Sequence, residues 1–322
     1  MSSHRLVALL GCAAVAAFGL SLLFGVGGFT LSGSAEAQHT ILLEVRLPRA
    51  LLGFMVGGTL GLTGAVLQGY LRNPLAEPGI MGISGGAALG AVIAIHSGMA
   101  QTFALALPLA GLTGAALATL ALAILAGRGT GSVTLILAGV AVSSLAGALT
   151  SLALNLAPNP FAASEMLYWL MGSLTDRSLT QVWLAAPLMA IGCAVLALTA
   201  RDLDALSLGE DAAQNLGVDP GRLRLMVVTG TALAVGAATA VCGAISFVGL
   251  MVPHLLRPFT NGEPGRLLLP SFLGGAALVL FADVALRAIS PLGELRLGVL
   301  TALIGAPFFL WLVLRGRSEM AS

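Results

Sequence analysis

The 322-residue chain is 57% hydrophobic and 9% charged, with a mean hydropathy of +0.99 and a net charge of +1. That balance excludes an ordinary soluble domain, in which about a quarter of the residues are charged, and it supplies no basic field for nucleic acid. All fifteen basic residues are arginine, so the lysine that a P-loop places on ATP phosphates is missing, as is any lysine for Schiff-base chemistry.

Apolar blocks recur along the whole length, many near the roughly 20 residues a helix needs to cross a bilayer. They are continuous Leu/Ala/Val/Gly runs without dyad alternation, which indicates helices rather than a barrel. The 42 glycines suit helices that approach closely in lipid. About ten spans are predicted, at 6–28, 50–70, 80–96, 103–126, 133–154, 182–200, 225–241, 247–259, 267–289 and 298–314.

The first block is followed by Ala35-Glu36-Ala37, which looks like a signal cleavage site. Its apolar core is longer than the usual 7–15 residues of a signal peptide, so it is predicted to remain as a helix. Cys12, Cys193 and Cys242 lie inside apolar blocks at no metal-ligand spacing and read as small buried hydrophobes. Arg46-Leu47-Pro48-Arg49 precedes the second block. It is either a lipid-headgroup anchor or a guanidinium patch for a partner's carboxylates, to which Arg296 could be added.

Between the second and third blocks, Pro74 and Pro78 constrain a turn, and the glycine-rich stretch 81–87 opens the next helix. The fifth span carries Ser143, Ser144, Gly147, Thr150 and Ser151 at helical spacing, a stripe suited to a helix contact or a polar path. A short interfacial helix is predicted at about 162–175, with Tyr168 and Trp169 as its aromatic belt.

The loop 201–224 is the one long polar interruption, carrying Asp202, Asp204, Glu210, Asp211 and Asp219. Ser207 or Gly209 can cap a short helix there, acids favour its first turn, and Gly217 stops it. Such a segment cannot enter lipid and is too short to be a domain, so it reads as a docking element for a soluble partner. The block 247–259 contains Pro253 and is too short for an ordinary span; tilted, broken and re-entrant courses all remain open. Asp283 and Arg287 stand four apart within a span and are expected to form a structural ion pair, with a proton relay at Asp283 as the sharper alternative.

Arginines 5, 72, 128, 201, 222, 224, 257, 266, 315 and 317 fall on one side of the predicted spans, and 46, 49, 177, 287 and 296 on the other. The bias places both termini in the cytoplasm.

Six motifs in one order carry a family resemblance: RLPR at 46–49, RNPLAEPGIMGISGGAALG at 72–90, LAGVA at 137–141, LSLGEDAAQNLGV at 206–218, GAISFVGLMVPHLLR at 243–257 and GELRLGVLTALIGAPFF at 293–309. The chain resembles the FecCD family of permeases from binding-protein-dependent ABC importers for iron chelates, haem and cobalamin. Arg296 departs from the proline more usual in that family. The resemblance implies an all-α, polytopic type II importer permease with one transmembrane domain over 1–322, in the bacterial inner membrane. It implies a homodimer served by two cytoplasmic ATPase subunits and a periplasmic binding protein. No cofactor is expected in the chain, ATP and magnesium belonging to the ATPase.

By the same resemblance, Leu208, Gly209, Glu210, Ala212, Ala213, Leu216 and Gly217 are expected to couple to the ATPase. Asn73, Leu75, Gly131 and Ser132 correspond to a cytoplasmic gate, and Arg46, Arg49 and Arg296 to the binding-protein contact. The fifth helix lines the pathway or the dimer contact. An iron–siderophore is the first expected substrate, ahead of haem and cobalamin; an ion-coupled secondary transporter is the remote alternative.

Overall fold

A computed structural model describes residues 3–25, 34–127, 131–289 and 295–320, apart from the side chains at 132, 313 and 315–320. Arg128, the start of the last motif at 293–294, and the side chains of Ser132, Arg315 and Arg317 lie outside what is described. The described chain is nearly all helix. In order, the helices are α1 (Ser3–Leu23), α2 (Ala35–Thr40), α3 (Leu47–Tyr70), α4 (Ile83–His96), α5 (Ala106–Ala126), α6 (Ser132–Asn155), α7 (Pro160–Leu170), α8 (Leu179–Ala197), α9 (Ala200–Leu206), α10 (Glu210–Asn215), α11 (Pro220–Cys242), α12 (Val248–Leu256), α13 (Pro264–Ile289) and α14 (Leu297–Met320).

Every predicted apolar block holds a helix, but among the described residues only seven helices are long and apolar enough to cross a bilayer. The other three blocks hold the 14-residue α4, the nine-residue α12 and α14, whose apolar stretch is described over Leu297–Leu312. At 1.5 Å per residue, α12 reaches about 14 Å, half the hydrocarbon core. Its residues Val248 to Pro253 are buried, which is what allows a helix to begin inside a membrane protein. The second block starts earlier than predicted. A π-helical turn, Ile41–Arg46, joins α2 to α3, and Ala35–Tyr70 runs as one 36-residue helix. Pro48 does not break it: it follows directly on the π-helical turn, where the Leu47 N–H already bonds to the Leu42 carbonyl and the regular i→i−4 ladder is interrupted.

α3 forms the centre of the bundle and packs against α13, α12, α11, α8 and α1. Glycines make this packing possible. Gly57 and Gly61 lie against the backbone of Gly275 and Ser271 on α13, and Gly64 lies against Gly249 of α12. No Cβ fits at these three positions, so the helices meet backbone to backbone. α4 pairs with α5, and α8 with α11. α6 packs on α4 and α5 by one side only, leaving Val133, Leu137, Leu145 and Leu152 exposed; α14 leaves Leu303, Leu310 and Trp311 exposed.

Candidate functional site: the α9–α10 loop and the turn it touches

The loop 201–224 folds outside the long apolar helices as two short helices. α9 is anchored by buried Leu203 and Leu206, and Asp204 Oδ1 accepts the Gly265 N–H at 2.7 Å at the start of α13. Gly209 precedes α10 with φ +108, and neither it nor Ser207 caps α10 through a side chain. Glu210 and Asp211 occupy the first turn, where the helix dipole favours acids. Gly217, at φ +89, ends the helix: its N–H meets the Gln214 carbonyl at 2.9 Å, and the Val218 N–H meets the Ala213 carbonyl at 3.0 Å.

The residues of this loop divide by face. Ala213 is buried against the bundle, Gly209 and Ala212 are half-buried, and Glu210 and Gly217 are exposed. Leu208 and Leu216 are 69% and 65% exposed, an apolar pair on a polar element outside the spans. Scattered exposed leucines carry no message, but two beside a short acidic helix make a surface that a soluble protein can cover.

A cleft of about 410 Å³ lies between this loop and the bundle, lined by Tyr70, Gly131, Leu206, Glu210, Ala213 and Arg224 among others. It brings the end of α3, the start of α6 and the α9–α10 loop together. Gly131 caps α6 with an extended backbone. Asn73 is exposed, and its Oδ1 accepts the Leu75 N–H at 2.9 Å, so its side chain shapes the α3–α4 turn. Arg72 Nη2 lies 2.9 Å from Glu210 Oε1, tying that turn to α10. This contact spans 138 residues and has no signal in the sequence.

The stripe on α6 is largely open. Ser144, Gly147 and Ser151 are exposed, and Ser143 Oγ donates to the Gly79 carbonyl at 3.4 Å.

At the opposite end of α3 two arginines of the expected patch have partners within the chain. Arg46 is 7% exposed, and its Nη1 donates to the Leu22 and Leu23 carbonyls at 3.0 and 2.9 Å, capping α1. Arg49 meets Asp283 side-on, with Nη2 at 2.8 Å and Nε at 3.0 Å from Oδ1. Arg287 completes the clamp, with Nη2 3.0 Å from Asp283 Oδ2 and 2.8 Å from Ser21 Oγ. Asp283 is 1% exposed. Arg46 and Arg49 are therefore internal ties between α1, α3 and α13, because buried guanidinium groups must find acceptors. The Asp283–Arg287 pair is present, and Arg49, 234 residues away, makes it a triad. Arg296 stands apart, half-buried, with its guanidinium 5.0 Å from the Tyr168 ring centre. Trp169 is 8% exposed against α4, so of the expected aromatic belt only Tyr168 faces outward.

Fold and site together define a polytopic helical membrane protein that presents a folded polar element at one end. The chain belongs to the FecCD transport family, which matches residues 7–315. It is 41% identical over 293 residues to the cobalamin import system permease protein BtuC of Halobacterium salinarum, covering 90% of this chain and 77% of that one. It is 39% identical to the hemin transport system permease protein HmuU of Yersinia pestis, covering 88% and 86%. Among solved structures it is similar to an inward-facing conformation of a metal-chelate-type ABC transporter, with a TM-score of 0.85 and 31% identity, covering 97% of this chain and 99% of that one.

Proposed function

We propose that this chain is the permease subunit of a binding-protein-dependent ABC importer, driven by ATP hydrolysis in a separate cytoplasmic subunit that docks on α9–α10. The observation that carries the reading is the exposed Leu208 and Leu216 pair beside the acidic helix α10, on a chain without a P-loop lysine. In this reading the α10 end and both termini are cytoplasmic, and the membrane is the bacterial inner membrane. A second copy of the chain covers the open faces of α6 and α14, and the ligand passes between the two copies. The residues around Asn73, Leu75, Gly131 and Ser132 close that path on the cytoplasmic side. With Arg46 and Arg49 occupied, Arg296 is the expected arginine still available to a periplasmic binding protein.

The ligand is a bulky metal chelate: cobalamin, haem or an iron chelate. The relatives named for cobalamin and for haem match this chain almost equally, at 41% and 39%, which supports the class and ranks neither. ATP binding in the partner then shifts the permease between outward- and inward-facing states through its differential affinity for them. Ion-coupled transport would need a free intramembrane carboxylate, and Asp283 is held between two guanidinium groups.

Changing Leu208 and Leu216 together to aspartate tests the docking role. The tagged variant is expected to fold normally and to lose at least about 90% of co-purifying ATPase, as desolvated apolar anchors dominate interfaces. Undiminished capture would contradict it.

A further inference from the structure

Two helices near the cleft end with the same backbone device and fill its critical position differently. At the end of α10 the left-handed residue is Gly217. At the end of α3 the Arg72 N–H meets the Gly69 carbonyl at 3.3 Å, the Asn73 N–H meets the Gln68 carbonyl at 3.1 Å, and the left-handed residue is Arg72, at φ +48. Glycine is usual there because a Cβ crowds the following carbonyl. An arginine kept in that conformation sets backbone strain against something its side chain accomplishes. That side chain reaches Glu210, the first residue of α10, at 2.9 Å.

Folding stability does not explain the choice. The two side chains are 46% and 54% exposed, and pairs in that setting add little to stability and are screened by salt. The turn beyond Arg72 is, by contrast, firmly tied inward. Gln68 is 1% exposed and donates through Nε2 to the Leu250 carbonyl of α12 at 3.1 Å, and at 3.4 Å to the carbonyls of Gly249 and Ala76. Pro78, at the far side of the same turn, packs against Gly249. A displacement of α10 therefore has a continuous route: from Glu210 to the Arg72 guanidinium, through the turn, and into the half-helix α12 inside the bundle.

We infer that Arg72 is a positioning residue, the link by which motion of α10 is conveyed to the α3–α4 turn and α12. The inference rests on the reading of α10 as the ATPase handle. Arg72→Gly separates the two roles of the residue, because glycine keeps the turn and removes only the guanidinium. The variant would be assembled with its ATPase and binding protein in proteoliposomes. It would be compared with the unaltered chain for thermal unfolding, for ATPase capture and for stimulation of ATP hydrolysis by the binding protein.

An unchanged or raised Tm is expected, with ATPase capture retained and the stimulated component of hydrolysis reduced at least about fivefold, the lower range of measured coupling between sites. Arg72→Lys, which restores the charge without the planar fork, is expected to fall between the two. High salt should lower stimulation in the unaltered chain and have little further effect on Arg72→Gly. Full stimulation in Arg72→Gly would overturn the inference, and so would a lowered Tm, since the arginine would then serve the fold. If even the unaltered chain captures no ATPase, the reading of α10 fails first and the link falls with it.

Discussion

Replacing Asp283 with alanine is expected to destabilise the protein by about 3–5 kcal/mol, the usual cost of removing one partner from a buried ion pair. The magnitude follows from what remains. Arg49 and Arg287, whose side chains are 11% and 4% exposed, would face each other without the carboxylate between them. Arg287 would keep its bonds to Ser21, while the side-on contacts of Arg49 would be lost. Thermal unfolding in detergent measures the effect. A variant that unfolds at the same temperature but loses transport would instead restore Asp283 as a working carboxylate. Changing Arg49 to glutamate belongs to the same experiment: it places a second carboxylate beside Asp283, so loss of folded protein is expected rather than a selective loss of binding-protein affinity.

Gly61→Leu is expected to cost at least about 1–3 kcal/mol, the range for overpacking a tight interior. At this position the obstruction is the Ser271 backbone on α13 rather than a side chain that could rotate away. The central helices must therefore separate, and the loss extends to their other contacts. Gly11→Leu on α1 is the matched control, since nothing lies within 4 Å of a Cβ there; it should leave the unfolding temperature within a degree or two. Equal stability of both variants would contradict the backbone-to-backbone seam.

Local features were the readable part of this chain. Each block located by hydrophobic run length holds a helix, whereas the short α2 and α9 lie outside those blocks, and the block at 247–259, expected to be too short for an ordinary span, holds the nine-residue α12. Gly217 announced the end of α10, where it adopts φ +89. These signals act within a few residues of one another. The contacts that give the arginines their roles do not. RLPR at 46–49 resembles a polar outer loop because its charges are conspicuous, yet each guanidinium finds its acceptors on α1 or α13. Arg72 and Gln68 are equally silent in the sequence, since the first needs α10 and the second needs α12 to have a partner.

In the proposed function this polypeptide gates a path and a separate ATPase does the work. Uptake of labelled cobalamin, haemin and a ferric chelate would be measured in vesicles holding the chain alone, and in vesicles holding it with ATPase and binding protein. ATP-dependent accumulation of one of these ligands is expected only in the complete system, with no accumulation by the chain alone under ATP or an imposed proton gradient. Uphill accumulation by the chain alone would contradict it.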